Sequence, residues 1–169
     1  SYLKNPQPVS DNLLYGEFHE NSKHTTRMPY MKPVYDVLEK NRGKVIYFDF
    51  WARWCPPCLA EMEPLKQLRS KFSTDDLIIY SICVSEPKEQ WEECLNEYSL
   101  RNRGIECVHV TDYLGIDNYQ KIRKQWKIDR MPYYILINRQ GQIIDFGTAA
   151  RPSNPQLVSR IEEAVKDTK

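Results

Sequence analysis

The sequence predicts an α/β fold, a central mixed β-sheet flanked by helices. Three observations carry this. Short runs of β-branched and aromatic residues alternate with segments whose apolar residues recur every three or four positions, a turn signal joins the last two runs, and a helical pattern closes the chain.

Residues 1–30 hold Pro6, Pro8, Gly16 and Pro29 among Asn, Ser, His and Thr, with only short apolar pieces such as Leu13, Leu14 and Tyr15. They read as an irregular arm or linker before a domain spanning 31–169. From Met31 the spacing of Val34, Val37 and Leu38 gives one apolar helical face, stopped by Asn41, Arg42 and Gly43. Lys44 to Phe50 is apolar without polar alternation, which suits a central strand covered on both faces. Leu59, Met62, Leu65, Leu68 and Phe72 then mark a helix running to about Phe72, with Pro64 set to kink it. Leu77 to Val84 is a second buried strand; Pro87 suits the first turn of a helix on which Trp91, Cys94, Leu95 and Tyr98 share a face. Glu106 to Val110 is a short strand, Ile116 to Trp126 a helix, and Tyr133 to Ile137 and Gln142 to Phe146 two strands joined at Asn138 to Gly141. Pro155 to Val165 closes as a helix with Leu157, Ile161 and Val165 on one side.

Composition narrows the function. At 169 residues the chain has room for one core, and 41% hydrophobic with 28% charged residues is ordinary globular usage. Lys and Arg number 24 against 23 Asp and Glu, a net charge of +1 that offers no cationic field for nucleic acid. The longest apolar stretch, Leu77 to Val84, is far short of the ~18 residues a membrane span requires. Five cysteines are too few for a disulfide scaffold and cannot all pair within one chain. The chain opens without a starting Met or an apolar leader, so it reads as processed or cropped, and tethering of a parent protein stays open.

Chemistry concentrates where the first strand hands over to a helix, at Trp54-Cys55-Pro56-Pro57-Cys58. Cys55 falls at the helix N-terminus, where unpaired N–H groups and the helix dipole stabilise a thiolate, so it is the expected nucleophile. Cys58 lies one turn in, within reach of a disulfide to Cys55, and is the expected resolving thiol. Pro56 and Pro57 have no N–H to offer the Cys55 sulfur, leaving chiefly the Cys58 amide. A modestly lowered Cys55 pKa and a reducing pair follow as expectations.

This strand, the Trp-Cys-Pro-Pro-Cys turn and a later Met131-Pro132 ahead of the hairpin together resemble the thioredoxin superfamily, in particular its TlpA-like and ResA-like thiol-disulfide oxidoreductases. The resemblance covers roughly Gly43 to Lys166 and implies a thioredoxin-like fold, a dithiol/disulfide cycle that reduces protein disulfides, no cofactor and an extracytoplasmic (periplasmic or envelope) setting. The partners it implies are a disulfide-bonded protein substrate and a separate thiol electron donor. It also makes Pro132 a cis-proline beside the pair, and Trp54, Met131 and Pro132 the rim on which a substrate docks. Asp49 matches the buried acid of thioredoxins, and Glu61 the active-site glutamate of ResA-like proteins; either is a candidate acceptor for the Cys58 proton. The family's helix proline usually falls five residues after the second cysteine, whereas Pro64 falls six after Cys58, displacing the expected kink.

Other readings are weaker. A closed zinc site needs four ligands and no second Cys/His cluster is suitably spaced. A peroxiredoxin would carry Thr and Pro where Ala52, Arg53 and Trp54 stand. The alternative of another class is a redox-inactive docking module or copper carrier, which would want a His near the pair; the only late one is His109. Cys83, Cys94 and Cys107 read as small buried hydrophobes, with a Cys94–Cys107 pair conceivable. His19 and His24 read as solvated, Glu89, Glu92, Glu93 and Glu97 as an exposed helix face, and Arg151 to Pro155 as a plain surface turn, the alternative being a strand-end loop that touches the partner.

Overall fold

Strand β1, Val45–Trp51, is buried at every residue because it has a strand on each side and helices over both faces. The computed structural model describes residues 29–167. The expected arm lies outside them except Pro29 and Tyr30, which belong to a 3-10 turn, Pro29–Met31, leading into helix α1, Lys32–Lys40. His19 and His24 are outside the described residues too.

Helices α2, Pro56–Ala60, and α3, Met62–Lys71, follow β1, and then come β2, Leu77–Cys83, α4, Lys88–Glu97, and β3, Ile105–His109. A short α5, Val110–Tyr113, precedes α6, Ile116–Gln125. The hairpin strands β4, Tyr133–Ile137, and β5, Ile143–Gly147, precede α7, Pro155–Lys166. The five strands lie in the order β3-β2-β1-β4-β5. β1, β2 and β3 are parallel, in a register that sets Asp49 beside Ser81 and Trp51 beside Cys83, while β4 and β5 are antiparallel to their neighbours. This is the mixed sheet the alternating pattern predicts.

The period of two along β1 divides the core. Ile46, Phe48 and Phe50 pack with Val34 and Leu38 of α1 and with Ile122 and Trp126 at α6. Val45 and Tyr47 pack on the other side with Leu65 and Leu68 of α3 and Leu157 and Ile161 of α7. A third cluster gathers Trp51, Cys55, Cys58 and Met62 with Cys83, Trp91 and Cys94 where β1 and β2 end. The β4–β5 turn forms at its predicted place. Asn138 Oδ1 accepts from the amides of Gln140 and Gln142, and Gly141 takes a φ of +82° that a side chain would resist.

Three expectations change, the smallest being that Pro87 precedes its helix as the extended N-cap residue instead of standing in the first turn. The single kinked helix over Leu59 to Phe72 is two helices, because Pro64 has no N–H for the Ala60 carbonyl and its ring crowds that oxygen. The break falls at Glu61, which caps both. The strand expected through Val110 ends at His109, whose Nδ1 accepts from the Thr111 amide and starts α5. Sequence periodicity gives no sign of so short a helix.

Candidate active site

The site grows out of the end of β1. Cys55 is extended (φ −112°, ψ 98°) and caps α2, with Pro56 at the first helical position, where its missing N–H costs nothing. Cys55 and Cys58 are joined by a disulfide with their Cα atoms 5.2 Å apart. The Cys58 amide donates to Cys55 Sγ at 3.3 Å. Pro56 and Pro57 add no donor, as the sequence requires. Both cysteines are buried, whereas the neighbouring Trp54 is 65% exposed. The turn before them is pinned from β2's far end, since the Arg53 amide donates to Ser85 Oγ at 2.9 Å. Ser85 is a positioning group that sequence reading passed over.

Of the two acids, Asp49 is buried on β1 and accepts a 3.3 Å hydrogen bond from Ser81 Oγ on β2. Burial pushes its carboxyl up from 3.8 to about 7, against the Ser81 hydrogen bond and with help from the Glu61 charge. Glu61 sits at the α2–α3 break with its side chain 12% exposed. Its Oε1 accepts from the Ser153 amide at 2.9 Å and its Oε2 from the Ser153 hydroxyl at 2.7 Å, with Arg151 Nε 3.8 Å from Oε2. The loop expected to be a plain surface turn is therefore bound to this carboxylate.

The Met131–Pro132 peptide is cis. Met131 packs on the cluster that holds Cys55 and Cys58, and the buried Pro132 accepts at its carbonyl from Thr148 Oγ1 at 2.8 Å. Cysteines, acids and the Met131-Pro132 turn thus gather at one end of the sheet, with Trp54 standing out into solvent beside them.

Comparison with known proteins fits this geometry. The family model described as Redoxin matches residues 32–165. The chain belongs to the Redoxin family. Among curated Redoxin relatives, "Thiol-disulfide oxidoreductase ResA" of Halalkalibacterium halodurans is 25% identical over 76% of this chain and 66% of its own length. ResA of Bacillus thuringiensis is 25% identical over 64% of this chain. The chain spans 66% and 57% of the length of these two relatives. A candidate thiol-disulfide oxidoreductase from Bacteroides vulgatus, solved in solution, is 32% identical with a TM-score of 0.59, covering 75% of this chain and 76% of its own. The thioredoxin domain of a Bacteroides vulgatus thiol-disulfide oxidoreductase superposes with a TM-score of 0.63 at 22% identity, over 76% of this chain and 84% of its own. The fold of this Redoxin chain is thioredoxin-like, and Cys55–Cys58 fits a CxxC redox motif.

The remaining cysteines of this Redoxin chain, Cys83, Cys94 and Cys107, are free, so the conceivable Cys94–Cys107 pair is not formed. Burial raises all three thiols above their ordinary value, Cys107 to about 11. His109 is buried with Nδ1 accepting from the Thr111 amide and Nε2 2.8 Å from the Ser85 carbonyl, so its ring is committed to the fold. Among the described residues no group of three or more His, Cys, Asp or Glu is placed to hold a metal ion.

Proposed function

We propose that the chain is a thiol-disulfide oxidoreductase that reduces protein disulfides through the Cys55–Cys58 pair. The observation that carries the reading is the disulfide at the N-terminus of α2, with the Cys58 amide aimed at Cys55 Sγ. In the reduced protein the Cys55 thiolate attacks a substrate disulfide; a Cys55–substrate disulfide forms and the first substrate sulfur leaves as a thiolate. Cys58 gives its proton to a carboxylate, Asp49 or Glu61, and its thiolate attacks Cys55 Sγ. The Cys55–Cys58 disulfide forms and the second substrate thiolate leaves, so the substrate gains two electrons and the pair loses them. A separate dithiol donor then re-reduces the pair.

A Cys55 thiolate with one amide donor is less stabilised than one with several. Such a thiolate attacks well and leaves poorly, which favours the reducing direction. Trp54, Met131 and Pro132 form the docking rim in this reading. The large exposed ring of Trp54 next to a buried disulfide suits an apolar contact to a partner chain. The compartment we assign is extracytoplasmic, where disulfide substrates persist. Residues 1–30 are read as a linker to a domain of 31–169. Among the described residues no helix is long and apolar enough to cross a membrane.

The test is trapping. Cys58→Ser should accumulate a covalent complex with a disulfide-bonded protein substrate, released by added thiol, and Cys55→Ser should not. Equal trapping by both variants would reverse the assignment of roles.

A further inference from the structure

Glu61 is reached from a part of the chain 92 residues away. The loop between β5 and α7 that reaches it is itself fixed. Tyr47 Oη, buried, donates to the Ala150 carbonyl at 2.7 Å, and Asn154 Nδ2 donates to the Ala149 carbonyl at 2.8 Å. At its start, the Thr148 hydroxyl donates to the Pro132 carbonyl. One loop therefore touches both the cis-proline turn and the carboxylate at the helix break.

We propose that this loop is a clamp: Ser153, through its amide and hydroxyl, and Arg151, through its guanidinium, are positioning residues that fix the Glu61 carboxylate at the helix break, three residues past Cys58, and so set the pH range of the Cys58 step. The proposal rests on the redox reading above. Two hydrogen-bond donors of Ser153 meet the two oxygens of one carboxylate at 2.7 and 2.9 Å, and Arg151 adds an ion pair at 3.8 Å. Charge-assisted bonds of this kind are the strong ones. The helix break at Glu61, forced by Pro64, leaves this side chain free of a helical row and lets it turn to the loop.

The consequence passes through Asp49. Besides Glu61, the groups facing these two acids are Tyr47 on β1, Ser81 and Cys83 on β2, Cys107 on β3, Tyr134 on β4, and Arg151. None of the others is an anion at neutral pH, so Glu61 is the one neighbouring anion that raises Asp49. Releasing Glu61 into solvent removes that charge, and Asp49 then ionises at lower pH.

The experiment titrates the Asp49 carboxyl by carbon NMR in the oxidised protein and measures the pH dependence of mixed-disulfide resolution. The proteins compared are wild type, Ser153→Ala and Ser153→Thr. The Asp49 midpoint and the acidic limb of the rate profile should both fall by about half a pH unit in Ser153→Ala, as expected for weakening one neighbouring charge. Ser153→Thr, which keeps the hydroxyl, should restore both. In a Glu61→Gln background Ser153→Ala should move neither. A wild-type protein that cycles while midpoint and profile stay unmoved in Ser153→Ala overturns the clamp alone. The same shift in the Glu61→Gln background also overturns it. A wild-type protein that never cycles overturns the redox reading, and with it the function given to the clamp, whatever the titration shows.

Discussion

Five cysteines meet one apolar cluster at the end of the sheet, yet they divide into two regions of opposite character. At the first turn of α2, Cys55 receives an amide N–H at its sulfur and pairs with Cys58. On β2, α4 and β3, Cys83, Cys94 and Cys107 are free, and burial raises their thiols. The Cys107 S–H points at the Leu100 carbonyl, an arrangement that favours the thiol over the thiolate. For Cys55, Cys58, Cys83 and Cys94 similar burial thus accompanies opposite chemistry, while Cys107, expected to be buried, is only partly so. On the proposed reading, a backbone donor at a helix N-terminus separates a reactive cysteine from a packing one, more than its depth does.

The largest expected effect that would break this contrast comes from Cys55→Ser. Reduction of a protein disulfide should fall to the uncatalysed background, measured by turnover with a dithiol donor. Residual turnover would mean that one of the buried thiols can act.

Next comes Asp49→Asn, expected to slow resolution of the mixed disulfide by about a hundredfold at pH 7, the lower range for loss of a general base. The same variant makes a stability prediction of definite sign. Folded Asp49 keeps its proton up to about 7 while the unfolded carboxyl loses it near 3.8, so wild-type stability falls as pH rises through that window and levels off above it. Asp49→Asn removes this loss. Its thermal midpoint should exceed that of wild type more at pH 8 than at pH 4, and an equal gap at both would refute the burial argument.

Trp54→Ala follows, with an expected cost of roughly tenfold in kcat/KM for a folded protein substrate, typical of an aromatic anchor. The potential of the pair should not move, because the ring lies outside the buried cluster. An unchanged kcat/KM would remove Trp54 from the docking rim.

The smallest effect is assigned to the free thiols. Cys94→Ala should leave turnover within about twofold and cost ~1 kcal/mol of stability in denaturant titration, the ordinary loss for a small buried group. A large drop in turnover would give this region a redox role that its raised thiol argues against.

The strands and longer helices were legible because each repeats a pattern over several residues: apolar runs for β1 and β2, three-to-four spacing for α1, α4 and α7. The Cys55–Cys58 turn was legible from a strand, a Trp and two prolines in one stretch. What sequence could not show were contacts between distant segments. Ser153 meets Glu61 across 92 residues and Ser85 meets Arg53 across 32, and neither serine sits in a motif. α5 was missed because it is four residues long and begins on the ring of His109. The helix break at Glu61 was half legible: Pro64 announced a kink, but the full break needed the crowded Ala60 carbonyl. The resemblance to the thioredoxin superfamily supplied the cis Met131–Pro132 peptide and the candidacy of Asp49 and Glu61 as acids, which composition and spacing alone did not give.

The central claim is that Cys55 and Cys58 form a reducing redox couple. Its most direct test is the reduction potential of the pair, found by equilibrating the protein in graded thiol buffers and counting alkylated cysteines by mass. The account predicts one reversible two-electron transition near or below ~−250 mV, with Cys83, Cys94 and Cys107 unalkylated in the native protein throughout. A transition near ~−120 mV would mark an oxidant and reverse the direction assigned here, and no reversible transition at all would contradict the redox reading outright.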